Sequence, residues 1–337
     1  MTGPRGCSHD AAAVHPPGCR RPVRAEAPGA RLVGRRSSDR VGSGVGGLLN
    51  ATFGNATELI IAIVALNAGL TEVVKASITG SIIGNVLFVL GLAMFLGGLG
   101  REKQSFNRTG ASANASQFAL AAVGLAVPAL YVIATRNDNF LTEEEISIGV
   151  AIILLLAYIA QLIFFLRTHA FLYSASEEET MHAAHWTIPH ALIVLAVATL
   201  LIAGLSELLV EGVEYLTSTL GWSEAFVGVV LVAIIGNAAE HMTAVTVAMR
   251  DRMELALSIA TGSALQIALF VAPVLVFAGL LLGKPMNLVF TLFELVAVGV
   301  ALLITILVSQ DGESNWLEGV QLLAAYAILA IAFFFVP

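Results

Sequence analysis

Residues 54–62 read GNATELIIA, and residues 236–244 read GNAAEHMTA. The second segment follows the first by 182 residues. Held without gaps, the same offset pairs Glu72 with Glu254 and Thr79-Gly80-Ser81 with Thr261-Gly262-Ser263. It continues through Leu87-Phe88-Val89 with Leu269-Phe270-Val271, Phe95 with Phe277, and Gly97 with Gly279. One GNAxE pair can arise by chance. An ungapped echo over about forty-five residues marks an internal repeat.

The surroundings set the class. Of 337 residues, 57% are hydrophobic and 12% charged, against about 25% charged in a soluble domain. Mean hydropathy is +0.86. Apolar runs recur from about residue 45 to the C-terminus, each long enough to cross a bilayer as a helix. The expected fold is all-α and polytopic, with helices near 45–68, 72–98, 115–135, 145–167, 187–218, 223–249, 253–282, 286–308 and 316–336. The connections include REKQSFNRTG (101–110), RNDNFLTEEE (136–145) and SASEEETMHAAH (174–185).

Residues 1–43 differ in kind. They carry eight of the seventeen basic residues, all arginine, among many Pro, Gly and Ala, and no apolar run long enough for a span or a signal core. A disordered segment outside the functional fold is expected there. Cys7 and Cys19, the two cysteines, fall in it and suggest neither a disulfide framework nor a metal site. With residues 1–43 set aside, the divisions are a first, four-helix repeat at 44–167, an acidic linker at 168–186 and a five-helix repeat at 187–337. The linker holds Glu177, Glu178, Glu179, His182 and His185, which read as a solvated loop or as a Ca2+ or pH sensor.

Lysine and arginine counts set the orientation. Alternate connections collect Arg101, Lys103, Arg108, Arg167, Arg250 and Arg252 on one side, and Lys75, Arg136 and Lys284 on the other. The six-to-three bias puts the N-terminal segment and the linker in the cytoplasm. The helix near 45 and its echo near 223 are five helices apart. An odd step inserts the second copy upside down, as an inverted-topology repeat whose site lies near the bilayer midplane on interrupted helices.

Gly54-Asn55 and Gly236-Asn237 suit such interruptions, since glycine weakens a helix and asparagine supplies an oxygen. A carboxylate inside a membrane helix costs roughly 2.5–3.5 kcal/mol on insertion scales, so Glu58 and Glu240 call for a function. Spacings of three and four place each Asn and its Glu on one helical face. The two glutamates are expected to meet across the pseudo-symmetry axis and, with amide and carbonyl oxygens, to suit a hard divalent cation such as Ca2+. With neither cation nor proton the site carries two negative charges in a low-dielectric interior. One Ca2+ or two protons neutralise it, which is sufficient chemistry for exchange.

The bland readings stand beside these. Asn55 and Asn237 can be packing glue between helices as well as ligands. Ser81 and Ser263 can bond back to their own helices as well as line the site. Asn85 and Gln266 share the serine faces but differ chemically between halves, and rank lower. Glu72 and Glu254 sit at helix starts, where the dipole favours them structurally. Glu207 lies within its helix and can line a proton or cation path, whereas Glu211 and Glu214 approach the surface. Glu294 is embedded with no evident partner. His241 points about 100° from Glu240 on a helix and reads as structural.

The two GNxxE segments, with GSIIGNVLFVLG (80–91), GSALQIALFVAP (262–273) and DGESNWLEG (311–319), resemble the Ca2+/H+ antiporters of the calcium/cation antiporter superfamily over roughly residues 44–337. The resemblance implies a ten-helix core of two inverted five-helix halves, Ca2+ bound between the second and seventh helices, and outward cation movement driven by inward protons. It also implies an acidic cytoplasmic segment between the halves. Against that pattern, the first helix of the first half is expected to be missing; its counterpart is the 187–218 helix.

The expected function is Ca2+/H+ exchange by alternating access. Its rivals are an antiporter for Na+, K+ or Mn2+ on the same scaffold and a truncated membrane protein that does not transport. No HExxH, GxSxG or nucleotide-binding loop suggests an enzyme. No cofactor is expected beyond Ca2+ and H+ as substrates. The partners are the lipid bilayer, with no nucleic acid, and a homo-oligomer is allowed. A prokaryotic cell membrane suits the short connections.

Overall fold

The computed structural model describes residues 54–136, 139–169 and 188–336. The expectations for residues 1–43, for a missing helix before Gly46, and for the acidic and histidine residues at 177–185 lie outside these residues. The helices are α1 Ala56–Asn67, α2 Thr71–Gly98, α3 Arg108–Thr135, α4 Phe140–Ile163 and α5 Ile188–Ser218. They continue as α6 Glu224–Gly236, α7 Ala238–Met249, α8 Met253–Leu282, α9 Leu292–Val308 and α10 Trp316–Phe335. Six are long and apolar enough to cross a bilayer, seven if α6 and α7 count as one bent span; α1 and α9 are shorter apolar helices. The chain is an all-α, multi-pass membrane protein.

The differences from expectation have local causes. α3 begins at Arg108 rather than near 115, and α4 at Phe140 rather than near 145. Asn107 caps α3 by accepting from Thr109 N and Gly110 N, and Asn139 caps α4 through Leu141 N. Capping carries both helices into polar sequence that reads as loop. α9 starts at Leu292 rather than 286, because Thr291 and Glu294 form a capping box. Residues 286–291 form no regular element, and there Leu288 N donates to Ser147 Oγ and Asn287 Nδ2 to Glu143 Oε2. The connection at 101–110 holds a strand, β1 Gln104–Ser105, antiparallel to β2 Glu313–Ser314.

Elements related by the 182-residue offset make related contacts. α2 and α8 form the centre; 83% and 56% of their most apolar stretches are buried, against 17–33% in α3, α4, α5 and α10. Each packs against the other half of the sequence: α2 against α6, α9 and α10, and α8 against α3 and α4. Glycines permit the closest approaches. A Cβ at Gly80 would collide with the Val229 backbone of α6, and one at Gly97 with Ala248 of α7. The repeat partner of Gly97, Gly279, faces Leu66 of α1, the repeat partner of Ala248. Interleaving of this kind draws both halves into one main core, with a smaller cluster of Ile61, Val73, Val213, Val227 and Val232 beside it among the described residues.

Connections on the same side by alternation also touch. The α2–α3, α7–α8 and α9–α10 connectors meet through Gln104, Asp251 and the β1–β2 ladder. On the other side Asn287 meets Glu143, and Ser223 Oγ donates to Phe333 O near the end of α10.

Candidate cation site

The two GNxxE segments fold alike. Asn55 (φ −97°, ψ 24°) and Asn237 (φ −93°, ψ 6°) both leave helical geometry, and each starts a new helix. Leu59 N bonds Asn55 O at 3.1 Å, and His241 N bonds Asn237 O at 3.0 Å. At Asn237 the chain bends by 61° between α6 and α7, the interruption expected there. Gly54 lies in an exposed turn just ahead of α1, and Gly236 is the last residue of α6. Glu58 and Glu240 are thereby set in the first turns of α1 and α7, at the helix ends that favour a negative charge.

The asparagine side chains cross between the halves. Ser263 Oγ donates to Asn55 Oδ1 at 3.1 Å, and Asn237 Nδ2 donates to Ser81 Oγ at 3.0 Å. These bonds are related by the repeat, and all four residues are buried. Asn85 Nδ2 donates both to Asn237 Oδ1 at 3.1 Å and to Ser263 Oγ at 3.0 Å. Asn55 Nδ2 donates in turn to Gln266 Oε1. Asn85 and Gln266, ranked low from the sequence, are thus integral to the network, and each binds the asparagine of the opposite half. Only their place on the serine faces hinted at this.

The carboxylates meet at the same level. A Cβ on Gly236 would lie 3.5 Å from Glu58 Cγ, so the α1 glutamate rests against the break in the opposite half. Ser263 lies against Glu240, and Glu58 is close enough to Glu240 for their charges to interact. Among the described residues, Glu58 Oε1 and Oε2 and Glu240 Oε2 are buried without a hydrogen-bond partner. Buried acceptors of this kind are costly and demand an explanation, of which a bound cation or proton is the simplest. Among the described residues, no group of three or more His, Cys, Asp or Glu could hold a metal ion. Any cation here would be held by the glutamate pair with neutral oxygens.

Other candidates fall elsewhere. Glu207 is exposed on α5, as are Glu211 and Glu214, and the structure does not bring it to the pair. Glu72 pairs with Lys75 at 3.1 Å in the first turn of α2, and Glu254 opens α8. Glu294 has partners after all. Besides capping α9 it accepts from Thr79 Oγ1 at 3.2 Å, and Thr261, the repeat partner of Thr79, accepts from Asn114 Nδ2 at 2.9 Å. His241 packs edge-on to Phe88 with ring centroids 5.8 Å apart, within an aromatic cluster that includes Tyr326.

A sequence profile described as sodium/calcium exchanger protein matches residues 30–167 and 190–335, which include both glutamates. The chain belongs to that family. Its exchanger fold is a transporter's, not an enzyme's. The family match starts at residue 30, ahead of the expected start near 44. The chain is 49% identical over 318 residues to a Ca2+/H+ antiporter of Synechocystis sp., covering 88% of this chain and 84% of that one. It is 48% identical over 297 residues to the Ca2+/H+ antiporter ChaA of Bacillus subtilis, covering 87% and 84%. The solved structure of native YfkE superposes with a TM-score of 0.75 at 43% identity, over 88% of this chain and 86% of that one. The bacterial relatives fit a prokaryotic membrane.

Proposed function

We propose that the protein is a secondary antiporter that exchanges Ca2+ for H+ by alternating access, with Glu58 and Glu240 as the shared carrier pair. The observation that carries this is the set of three buried carboxylate oxygens, drawn from both halves, that lack hydrogen-bond partners among the described residues. Unneutralised, two such charges oppose movement of the site through a low-dielectric interior. One Ca2+ or two protons would each remove that cost, so the pair crosses loaded with one or the other. Hard oxygen donors favour Ca2+. The similarity to Ca2+/H+ antiporters of Synechocystis sp. and Bacillus subtilis supports the same substrates.

Gly54, Gly236, Asn55, Asn237, Ser81 and Ser263 complete the proposed site. The asparagines and serines hold the two breaks together, and their oxygens become ligands as the network rearranges. Glu207, on α5, belongs to the path rather than to the pair. The halves, 44–167 and 187–337, are inverted copies joined by the 168–186 linker. In support, connectors on one side by alternation contact each other, and repeat-related bonds recur across the core. The family description names sodium as well as calcium, so Na+ is the rival cation.

The test is uptake by proteoliposomes holding the full chain. An imposed pH gradient should drive Ca2+ uptake, a protonophore should collapse it, and ATP should be unnecessary. Glu58→Gln or Glu240→Gln should abolish it. Near-normal uptake in either variant would defeat the shared pair, and no uptake by the parent chain would favour the non-transporting alternative. Concentrative uptake that survives loss of the proton gradient but follows a Na+ gradient would assign the rival.

A further inference from the structure

The helices that carry the two glutamates end in matching turns. Leu70 N bonds Ala65 O after α1, and Arg252 N bonds Val247 O after α7, each at 3.0 Å and each pair related by the repeat. Both turns need a left-handed residue. After α1 it is Gly69 (φ +87°), but after α7 it is Asp251 (φ +62°), one of two non-glycine residues with positive φ among those described. Glycine adopts this conformation freely and other residues resist it. The repeat has therefore kept a strained residue where its own other copy uses an unstrained one, and the difference is a side chain.

That side chain is engaged. Asp251 Oδ1 accepts from Gln104 Nε2 at 3.0 Å and lies 3.7 Å from Arg101 Nε. Gln104 is 3% exposed, and the same Nε2 donates to Ala248 O, in the last turn of α7, at 3.0 Å. Arg101 reaches Met249 O at 3.0 Å and also donates to Gly97 O of α2. The terminal carbonyls of α7, which a helix cannot satisfy itself, are capped by the α2–α3 connector. That connector is tied in turn to the α9–α10 connector through β1 and β2. The turn after α1 has Gly69 there, with no side chain to hold, and its equivalent contact is apolar, Leu66 against Gly279.

We infer that Gln104, Asp251 and Arg101 form a one-sided latch that fixes the far end of the Glu240 helix, so that the site is remodelled by movement of the Glu58 helix. Gln104 and Asp251 are positioning residues: they touch no substrate but hold the rigid helix on which Glu240 stands. The consequence for Ca2+ rests on the proposed function. A cation shared by two carboxylates needs them at a fixed separation, and a small displacement of one costs binding even when its cause is distant. The latch itself is a statement about mobility and can be tested without transport.

The experiment uses the full chain in proteoliposomes, with Ca2+ uptake kinetics and hydrogen–deuterium exchange of residues 65–70 and 247–252. Q104L removes the buried donor, and D251G removes the carboxylate while relieving the backbone. D251N keeps the acceptor and suits a left-handed turn. Q104L loses two hydrogen bonds and D251G one, which predicts about tenfold faster exchange at 247–252 in D251G and at least that in Q104L, with 65–70 unchanged. KM for Ca2+ should rise about five- to tenfold on the same grounds, with the maximal rate within about twofold of the parent, and D251N should match the parent. A merely structural role would lower the yield of folded protein and leave KM alone. Parental exchange and KM in both variants, or equally faster exchange at 65–70, would overturn the latch. If Q104L does not fold, D251G decides the matter. If E240Q transports normally, the cation-site reading falls and exchange alone judges the latch.

Discussion

Asn237 is the sharpest place to test whether the two halves are joined as the structure shows. Its side chain makes three hydrogen bonds: it accepts from Asn85 at 3.1 Å and donates to Ser81 at 3.0 Å and to Ala233 O at 2.9 Å. Two of these cross between helices. Interhelical side-chain bonds in bilayers average about 0.6 kcal/mol each, so their loss in Asn237→Ala costs about 1.2 kcal/mol. One Asn85 N–H is then left bare in a buried site, which adds about 1 kcal/mol. The sum is about 2 kcal/mol, a fall of roughly 4–8 °C in Tm for a chain of this size. Ser81→Ala removes one bond and should cost about 0.6 kcal/mol, or about 2 °C. Because the two residues share that bond, the double variant should be less destabilised than the sum by about 0.6 kcal/mol. Asn55 and Ser263, bonded at 3.1 Å, should show the same coupling. The assay is thermal unfolding in detergent with a double-mutant cycle for each pair. Zero coupling in both pairs would mean that the bonds do not form. Coupling in one pair alone would refute the symmetry of the network.

Gly80→Ala places a methyl group against the Val229 backbone, and such overpacking should cost about 1–3 kcal/mol, read as a lower Tm. Gly262, its repeat partner, has open space around the same position, so Gly262→Ala should be close to neutral in the same measurement. Thr291→Ala breaks the capping box of α9 and should cost about 1 kcal/mol, while Thr291→Ser should restore nearly parental unfolding.

The fold was readable where hydrophobicity and repetition agree. α2 and α8 were placed within a residue or two at each end, because both hold long apolar runs and repeat each other without gaps. Misplaced boundaries share a cause. α3 and α4 begin in RTGASANAS and FLTEEE, polar runs whose helicity depends on Asn107 and Asn139 as caps and, for α3, on burial of Gly110 and Asn114 against other helices. A hydropathy reading sees the lipid-crossing part of a helix and stops where lipid stops. The segment at 286–291 fails in the opposite way. It is mostly apolar and buried, yet not helical: Ser147 satisfies the Leu288 N–H that a helix would have satisfied internally, and Glu143 holds the Asn287 side chain.

In the candidate site, a costly charge recurring at a fixed offset singles out Glu58 and Glu240, and in the structure the two are close enough for their charges to interact. Glu294 looked unpartnered because its partners, Thr79 and Thr291, lie on another helix and at its own cap. Asn85 and Gln266 were undervalued for a subtler reason. They stand 181 residues apart rather than 182, so the ungapped repeat pairs Asn85 with Ile267 and Gln266 with Gly84. The structure shows why residues out of step can play matching parts. α2 widens into a π turn at Gly84–Val89 and α8 at Ile267–Val271, so the wide turn starts one position earlier in α2 than the repeat requires. Asn85 therefore stands inside the wide turn, whereas Gln266 is the last residue before it. A π turn alters the angular step between successive side chains, and such turns concentrate at functional sites. Each amide then reaches the asparagine of the opposite half from a different register. Sequence offset measures position along the chain, whereas the contact depends on rotation about the helix, and at a π turn the two no longer correspond.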